Sequence, residues 1–326
     1  MAWTSGSVTG HRNLLDALVT FLTTNATLVA ANQNWVLNKG ETVSSYNMNI
    51  QSGSQTYGTD FKDAYLVGPG LAQQDQIYSQ IRAYEIPASS VIGWMVCGAT
   101  GFDTNEVWED QPGFSYTGAR IINFMPLVDS LIEYWIVANG RRWILVCKIS
   151  GDFFTIYNGL LLPYALPSEY PYPMFVSGTS SSINELVSST GLSSCFRADK
   201  DTACLLRNVD NTWHKIADSP RPIYTSEQFG IHPWCNIGFS AWITCGNVDG
   251  TFPLFPAIAY AGGTTQPADK NVYGELEGVY FIPGLAASGQ TSPVAEDTIT
   301  VGSDTYLVVQ NCDRTDKDNY AAIKLE

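Results

Sequence analysis

The C-terminal part of the chain constrains the fold most strongly, because three consecutive strand patterns end the sequence with almost no tail. They occupy residues 271–284, 297–311 and 320–325. The second pattern contains Gly302-Ser303, a two-residue turn of the kind that closes a hairpin between β-branched strands. Since the region carries no nucleophile, base or cluster of metal ligands, it is predicted to form strands that pair and pack.

Similar patterns recur upstream. Residues 77–86 alternate between two faces, as a strand does. Two apolar runs, 133–138 and 141–148, flank Asn139-Gly140, a dipeptide that favours hairpin turns because both residues tolerate positive φ. A second hairpin is predicted around residues 209–211.

One longer helix is predicted, near residues 10–24. Leu14, Leu18, Phe21 and Leu22 recur there at helical spacing. Together, the patterns predict a mainly β (α+β) fold in which antiparallel sheets form a sandwich-like body with a short N-terminal helical segment.

The predicted organisation has three parts. Residues 1–34 form the N-terminal helical segment, residues 35–176 a β region with the Asn-Gly hairpin, and residues 177–326 a β region that ends in the C-terminal hairpin and strand. The second boundary lies where a Ser/Thr/Gly-rich stretch begins. The two β regions are also compatible with one continuous domain.

The small fraction of charged residues and the negative net charge make some classes of function improbable. Charged residues make up 15% of the chain, against roughly 25% in ordinary domains, and such a surface suits a protein that lies against copies of itself. The net charge of −14 argues against a nucleic-acid partner, because phosphate contacts need clustered Lys and Arg. We also expect no membrane partner, because the sequence shows neither a secretory signal nor an apolar run of roughly 18 residues. The expected site of synthesis is a bacterial cytoplasm.

Six motifs resemble those of a family of tailed-bacteriophage virion structural proteins. In chain order they read LVGPGLA (66–72), YWIVANGRRW (134–143), LLLPYA with YPYP (160–173), VYGELEGVYFIPG (272–284), TITVGSDTYLVVQN (298–311) and YAAIKL (320–325). The resemblance implies a structural subunit of the virion, on the tail or at the neck or collar where the tail meets the head. It implies a symmetric homo-oligomeric ring that also contacts other neck or tail proteins. It supplies no catalytic residue and no cofactor.

Two other classes of function are compatible with the sequence. A baseplate or tail-tip protein that binds a host glycan or receptor is the main alternative, because nine Trp and seventeen Tyr offer stacking platforms. A glycoside hydrolase would need paired carboxylates, and Glu106 and Glu109-Asp110 lie near Trp108. The histidines, His11, His214 and His232, are interpreted as structural. The chain is therefore predicted not to be an enzyme and to have no metal site.

The odd number of cysteines, seven, prevents complete pairing within the chain. Cys195 with Cys204, and Cys235 with Cys245, are spaced to face each other across hairpins. Cys312 follows Asn311 in a polar loop and is predicted to be exposed. We therefore expect Cys312 to be the cysteine that forms an intermolecular disulfide with a neighbouring virion protein. Thiols that all stay unpaired, as in a reducing cytoplasm, are the alternative.

Overall fold

The structure of the chain is a computed structural model. It describes residues 1–50, 53–70, 76–86, 90–116, 122–189, 191–196, 204–216, 228–232, 253–262, 271–283, 294–312 and 319–326.

Strands dominate the described part of the chain. In chain order the elements are β1 (Ala2–Thr9), α1 (His11–Thr24), α2 (Ala26–Ala30), β2 (Val36–Ile50), β3 (Gly53–Gly68), β4 (Ile77–Ile86), β5 (Val91–Ala99), a 3₁₀ turn (Trp108–Asp110), β6 (Asn123–Leu127), β7 (Leu131–Ala138), β8 (Arg142–Ile149), β9 (Asp152–Leu160), β10 (Leu162–Pro163), β11 (Met174–Ser177), β12 (Cys204–Arg207), β13 (Trp213–Ile216), β14 (Gln228–His232), β15 (Phe255–Gly262), β16 (Asn271–Phe281), β17 (Thr298–Val301), β18 (Asp304–Gln310) and β19 (Tyr320–Lys324).

The strands form three antiparallel sheets, which confirms the predicted fold class. Sheet 1 has the order β1-β7-β8-β9-β11-β12-β13, and sheet 2 the order β2-β3-β4-β5-β6. Sheet 3 has the order β14-β15-β16-β19-β18-β17, with the short β10 paired to β16.

Sheet 1 is the central layer, and both of its faces are buried. Along β8, Trp143, Leu145 and Cys147 belong to the core shared with α1 and sheet 2, whereas Ile144 and Val146 belong to the core shared with sheet 3. This strict alternation is the period-two rule of a strand applied to a sheet that is covered on both sides. It explains why the strands of sheet 1 read as continuous apolar runs.

The predicted helix is confirmed as α1, and its apolar stripe lies in the core. Leu14, Leu15, Leu18 and Leu22 are fully buried between sheets 1 and 2. The helical segment His11–Ala30 is long and apolar enough to cross a membrane by length and composition alone. Packing within the chain already accounts for its buried leucines.

The predicted hairpins are present. β17 and β18 are joined by Gly302-Ser303, and Gly302 has φ +65°, which glycine adopts without strain. β12 and β13 flank residues 208–212, where Asn211 has φ +66°. The Asn139-Gly140 connection joins β7 to β8, but the positive-φ residues in the described part of the chain include neither Asn139 nor Gly140.

Sheet 1 extends across both of the predicted segment boundaries. The segment 1–34 contains strand β1 as well as its helices, and β1 pairs with β7 from Ala2↔Ala138 to Thr9↔Leu131. At the second boundary, β11 pairs with β12 through Ser177↔Cys204. Sheet 1 therefore takes strands from all three predicted segments.

Candidate functional site

The turn at Asn139 is the centre of a buried polar junction between sheets 1 and 3. The Asn139 side-chain oxygen accepts hydrogen bonds from the backbone N–H groups of Arg141 and Arg142, at 2.8 and 3.1 Å. Its amide nitrogen donates to Glu277 Oε1 of β16 at 2.8 Å. This side chain, rather than a turn with positive φ, organises the hairpin, which is the difference from the sequence-based prediction.

Both arginines of the turn are buried. Arg141 donates to the Leu161 carbonyl oxygen at 2.8 Å and lies 4.0 Å from Glu277. Arg142 is fully buried and donates to the Val137 carbonyl oxygen and to Met1 Sδ. Burial lowers the pKa of Arg142, and the negative charge of Glu277 opposes that shift. These arginines therefore make buried contacts that stabilise the fold and do not form a basic surface.

A glycine of β16 provides the space for Arg142. Gly278 has φ +83°, and a Cβ placed there would lie 2.7 Å from Arg142 Nη2. Only a residue without a side chain fits this approach at a positive φ. The sequence signal for this junction is the Glu277-Gly278 pair within strand β16.

Most of the motifs that resemble those of the virion family come together at or next to this junction. From LVGPGLA, the Gly70 N–H donates to the Gly140 carbonyl oxygen at 2.8 Å. From LLLPYA, Leu162 and Pro163 pair with Glu275 and Gly274 of β16. The last two motifs form β17, β18 and β19, and β19 pairs with β16. Segments that are far apart in sequence are thus direct packing partners.

Of the three carboxylates considered for glycoside hydrolysis, Glu109 is buried near an ion pair, whereas Glu106 and Asp110 are exposed. Arg82 donates two hydrogen bonds to Asp63, with Nε–Oδ1 at 2.7 Å and Nη2–Oδ2 at 2.5 Å. Its guanidinium lies over the ring of Trp108, 4.9 Å from the centroid. Burial acts to lower the pKa of Arg82, but the hydrogen bonds and charge of Asp63 outweigh it and raise the pKa. Trp108 and Glu109 are both buried, so this ring is part of a core and is not an exposed stacking platform.

The histidines differ in their surroundings. His11 is 1% exposed, and its Nδ1 lies 2.7 Å from Asp129 Oδ1. Burial lowers the pKa of His11 although Asp129 opposes the shift. His214 lies in a cluster of turn side chains, with Nε2 2.8 Å from Thr212 Oγ1. The side chain of His232 lies outside the described residues.

The structure corrects the prediction for Cys312. This side chain is 1% exposed and lies 3.6 Å from Ser194 Oγ, while the Ser194 N–H donates to Asn311 Oδ1 at 2.7 Å. These contacts of Asn311 and Cys312 with Ser194 accompany the burial of the thiol. The prediction that Cys312 is exposed is therefore wrong, and the predicted intermolecular disulfide loses the exposure on which it rested.

The other described cysteines are also buried free thiols. Cys195 and Cys204 lie close together, with Cys204 Sγ 3.9 Å from the Cys195 carbonyl oxygen. They do not face each other across a hairpin as predicted, because the cross-strand partners of Cys204 are Ser177 and Ile216 and Cys195 lies in a turn. Burial raises the pKa of both thiols. Cys235 and Cys245 lie outside the described residues.

Two surface features remain. A groove of about 270 Å³ lies between α1 and the start of the β2–β3 hairpin and is lined by Leu15, Val19 and the Asp16–Lys62 ion pair. Among the described tryptophans, Trp3 on β1 is exposed, whereas Trp35, Trp94, Trp108 and Trp143 are fully buried. No group of three His, Cys, Asp or Glu side chains in the described ranges is arranged to hold a metal ion.

In comparisons with known proteins, no family model and no curated sequence matches this chain.

Proposed function

We propose that this chain is a structural subunit of a tailed-phage virion, located at the neck or collar or elsewhere on the tail, and that it assembles with copies of itself in a symmetric ring. The observation that carries the proposal is the junction around Asn139 and Glu277, where most of the motifs of the resemblance come together. These motifs pack against one another across three sheets. Because such contacts determine the fold, they are the residues that this chain would share with virion proteins of the same architecture.

The surface supports assembly. Only 15% of the residues are charged, against roughly 25% in ordinary domains, so a contact between copies would have to remove few charged side chains from water. Strand β1 forms an edge of sheet 1 with the sequence AWTSGSVT, which has no charged residue and no proline. Soluble proteins usually protect such an edge with Lys, Pro or a bulge, because its free N–H and C=O groups recruit other strands. An unprotected edge fits a subunit that has a permanent neighbour.

The test is a protein inventory of particles purified from a culture infected with the source phage. We expect mass spectrometry to find this chain in intact particles at several copies per particle. Its absence would refute the proposal.

A second experiment tests the alternative. The melting temperature of the purified chain should not change when host surface polysaccharide is added. A rise would favour the baseplate or tail-tip alternative instead, because a specific ligand stabilises the folded state.

A further inference from the structure

The β2–β3 hairpin extends beyond its sheet. β3 pairs with β4 only over Lys62–Gly68, from Lys62↔Ala83 to Gly68↔Ile77. Beyond that point β2 and β3 pair only with each other, from Val43↔Phe61 to Ile50↔Gly53. We call this two-stranded extension, residues 43–50 and 53–61, the arm. A register shift between Val43 and Ser45 marks its base, and such a bulge bends a strand.

An isolated two-stranded ribbon is marginally stable in water and usually needs a third strand or a packing surface. In the arm, the side of β3 that faces β4 within the sheet is paired with no strand among the described residues. The segment 44–60 contains a single charged residue, Asp60. The arm thus presents an open, nearly uncharged strand edge.

Strand β1 presents the matching edge. The Gly10 N–H donates to the Ser130 carbonyl oxygen at 3.0 Å, which continues the β1–β7 register by one pair. Since alternate residues of an antiparallel strand point their N–H and C=O groups to opposite sides, Trp3, Ser5 and Ser7 direct theirs away from β7. Within the described residues these N–H groups meet no acceptor.

We propose that the arm of one copy adds to the β1 edge of the next copy, so that residues 53–61 of β3 pair with β1 in trans. The two segments are of nearly equal length, β1 having eight residues, and neither carries a positive charge. Within its own chain, β1 pairs with β7 and the arm does not reach it. Before the arm begins, the outer edge of β2 carries the Lys39–Glu41 pair and the register shift between Leu37 and Lys39, two features that protect an edge strand.

The contact is heterologous, because it joins the arm of one copy to a different surface of the next. Repeated around an axis, such a contact closes into a ring when the rotation permits. This inference rests on the proposed function and adds to it the surfaces through which copies meet. It also identifies the chemistry of the partner, which is an extended and nearly uncharged strand.

The experiment uses two complementary variants of the full chain. In the first, a two-residue Asn-Gly turn joins Val43 directly to Phe61, which removes the arm and keeps the β1 edge. The second is Ser5→Pro, which removes an outward N–H without taking a bond from β7, a position that edge strands tolerate. Its matched control is Ser5→Ala. A double variant, Ser5→Lys with Ser7→Lys, blocks the same edge by charge if the proline variant does not fold.

Sedimentation velocity measures the outcome, and thermal melting checks that each variant folds. We expect oligomers for the wild type and Ser5→Ala, and loss of the oligomer to single chains for each interrupted variant. An equimolar mixture of the arm-less and edge-blocked variants should form a dimer and nothing larger, because one intact arm meets one intact edge. A mixture that remains monomeric, or variants that oligomerise like the wild type, would overturn the inference.

These outcomes separate the two claims. If the wild type oligomerises and the variants do too, the arm-to-edge contact is wrong and the virion function stands. If the wild type is a single chain at every concentration, both the contact and self-assembly are wrong. The inventory of purified particles tests the virion function independently of either result.

Discussion

The side-chain amide of Asn139 donates a hydrogen bond to Glu277 across the interface between sheets 1 and 3, with Nδ2 and Oε1 2.8 Å apart. The same side chain holds the two backbone N–H groups that follow the turn. The buried Asn139 side chain therefore stabilises the β7–β8 turn and also connects it to β16. If the Asn139 side chain is removed, several buried polar groups lose their hydrogen-bond partner. The resulting loss of stability is larger than the net stabilisation that a typical hydrogen bond provides.

We predict that Asn139→Ala lowers the free energy of unfolding by about 1–3 kcal/mol, since buried donors and an acceptor lose their partner. The measurement is denaturant-induced unfolding. Asn184→Ala is the control, because Asn184 is exposed, and it should change stability by less than about 0.5 kcal/mol. Equal effects of the two substitutions would show that the junction does not stabilise the chain.

Gly278→Ala should destabilise the chain more than Gly151→Ala. Both glycines have positive φ, at +83° and +100°, so both substitutions introduce backbone strain. A Cβ at Gly151 meets nothing within 4 Å, whereas one at Gly278 meets the fully buried Arg142. The additional cost of overpacking at Gly278 should be about 1–3 kcal/mol in unfolding measurements. Equal losses would mean that Arg142 moves aside freely.

The stability of the chain should depend on pH through His11. Burial holds the pKa of His11 below its ordinary value in the folded state, so between the two pKa values the unfolded state binds more protons. The stabilisation is complete above about pH 6.5, the ordinary pKa, and is lost as pH falls toward the folded-state pKa. The free energy of unfolding should therefore decrease as the pH is lowered from about 7.5 to about 5.

The His11→Gln variant provides the control for that prediction. It removes the titrating group, so the decrease in stability over the same pH range should become smaller than in the wild type. A change of overall stability at all pH values does not affect this comparison. If the pH dependence of the variant equals that of the wild type, His11 does not contribute to it.

Much of the fold was predictable wherever local patterns determine it. The alternation of residues 77–86 gave β4 with the bounds Ile77–Ile86, and Gly302-Ser303 gave the β17–β18 hairpin. β1 was missed because its Ser/Gly-rich sequence resembles a loop and its partner, β7, lies far away in sequence. Long-range pairing of this kind leaves no local periodicity to detect.

The site was less predictable than the fold. The sequence around Cys312 is polar, which favours exposure, but its burial arises from contacts with Ser194 more than a hundred residues away. The roles of Glu277 and Gly278 likewise depend on where β16 meets the Asn139 turn. Such roles are set by tertiary packing, which local propensity does not encode.

The five described thiols should be unreactive in the native chain. Cys97, Cys147, Cys195, Cys204 and Cys312 are all buried, and burial raises the pKa of the first four, which disfavours the reactive thiolate. Peptide mapping after maleimide labelling should find these five unmodified under native conditions and modified in urea. Rapid native labelling of Cys312 would contradict its burial.

We propose that copies of this chain form a structural ring in a virion through the arm and the β1 edge. The decisive measurement is electron cryomicroscopy of purified particles. We expect a closed ring of this chain at the neck or on the tail, in which residues 53–61 of each copy pair with β1 of the next. A particle without the chain, or with copies that do not touch one another, would contradict it.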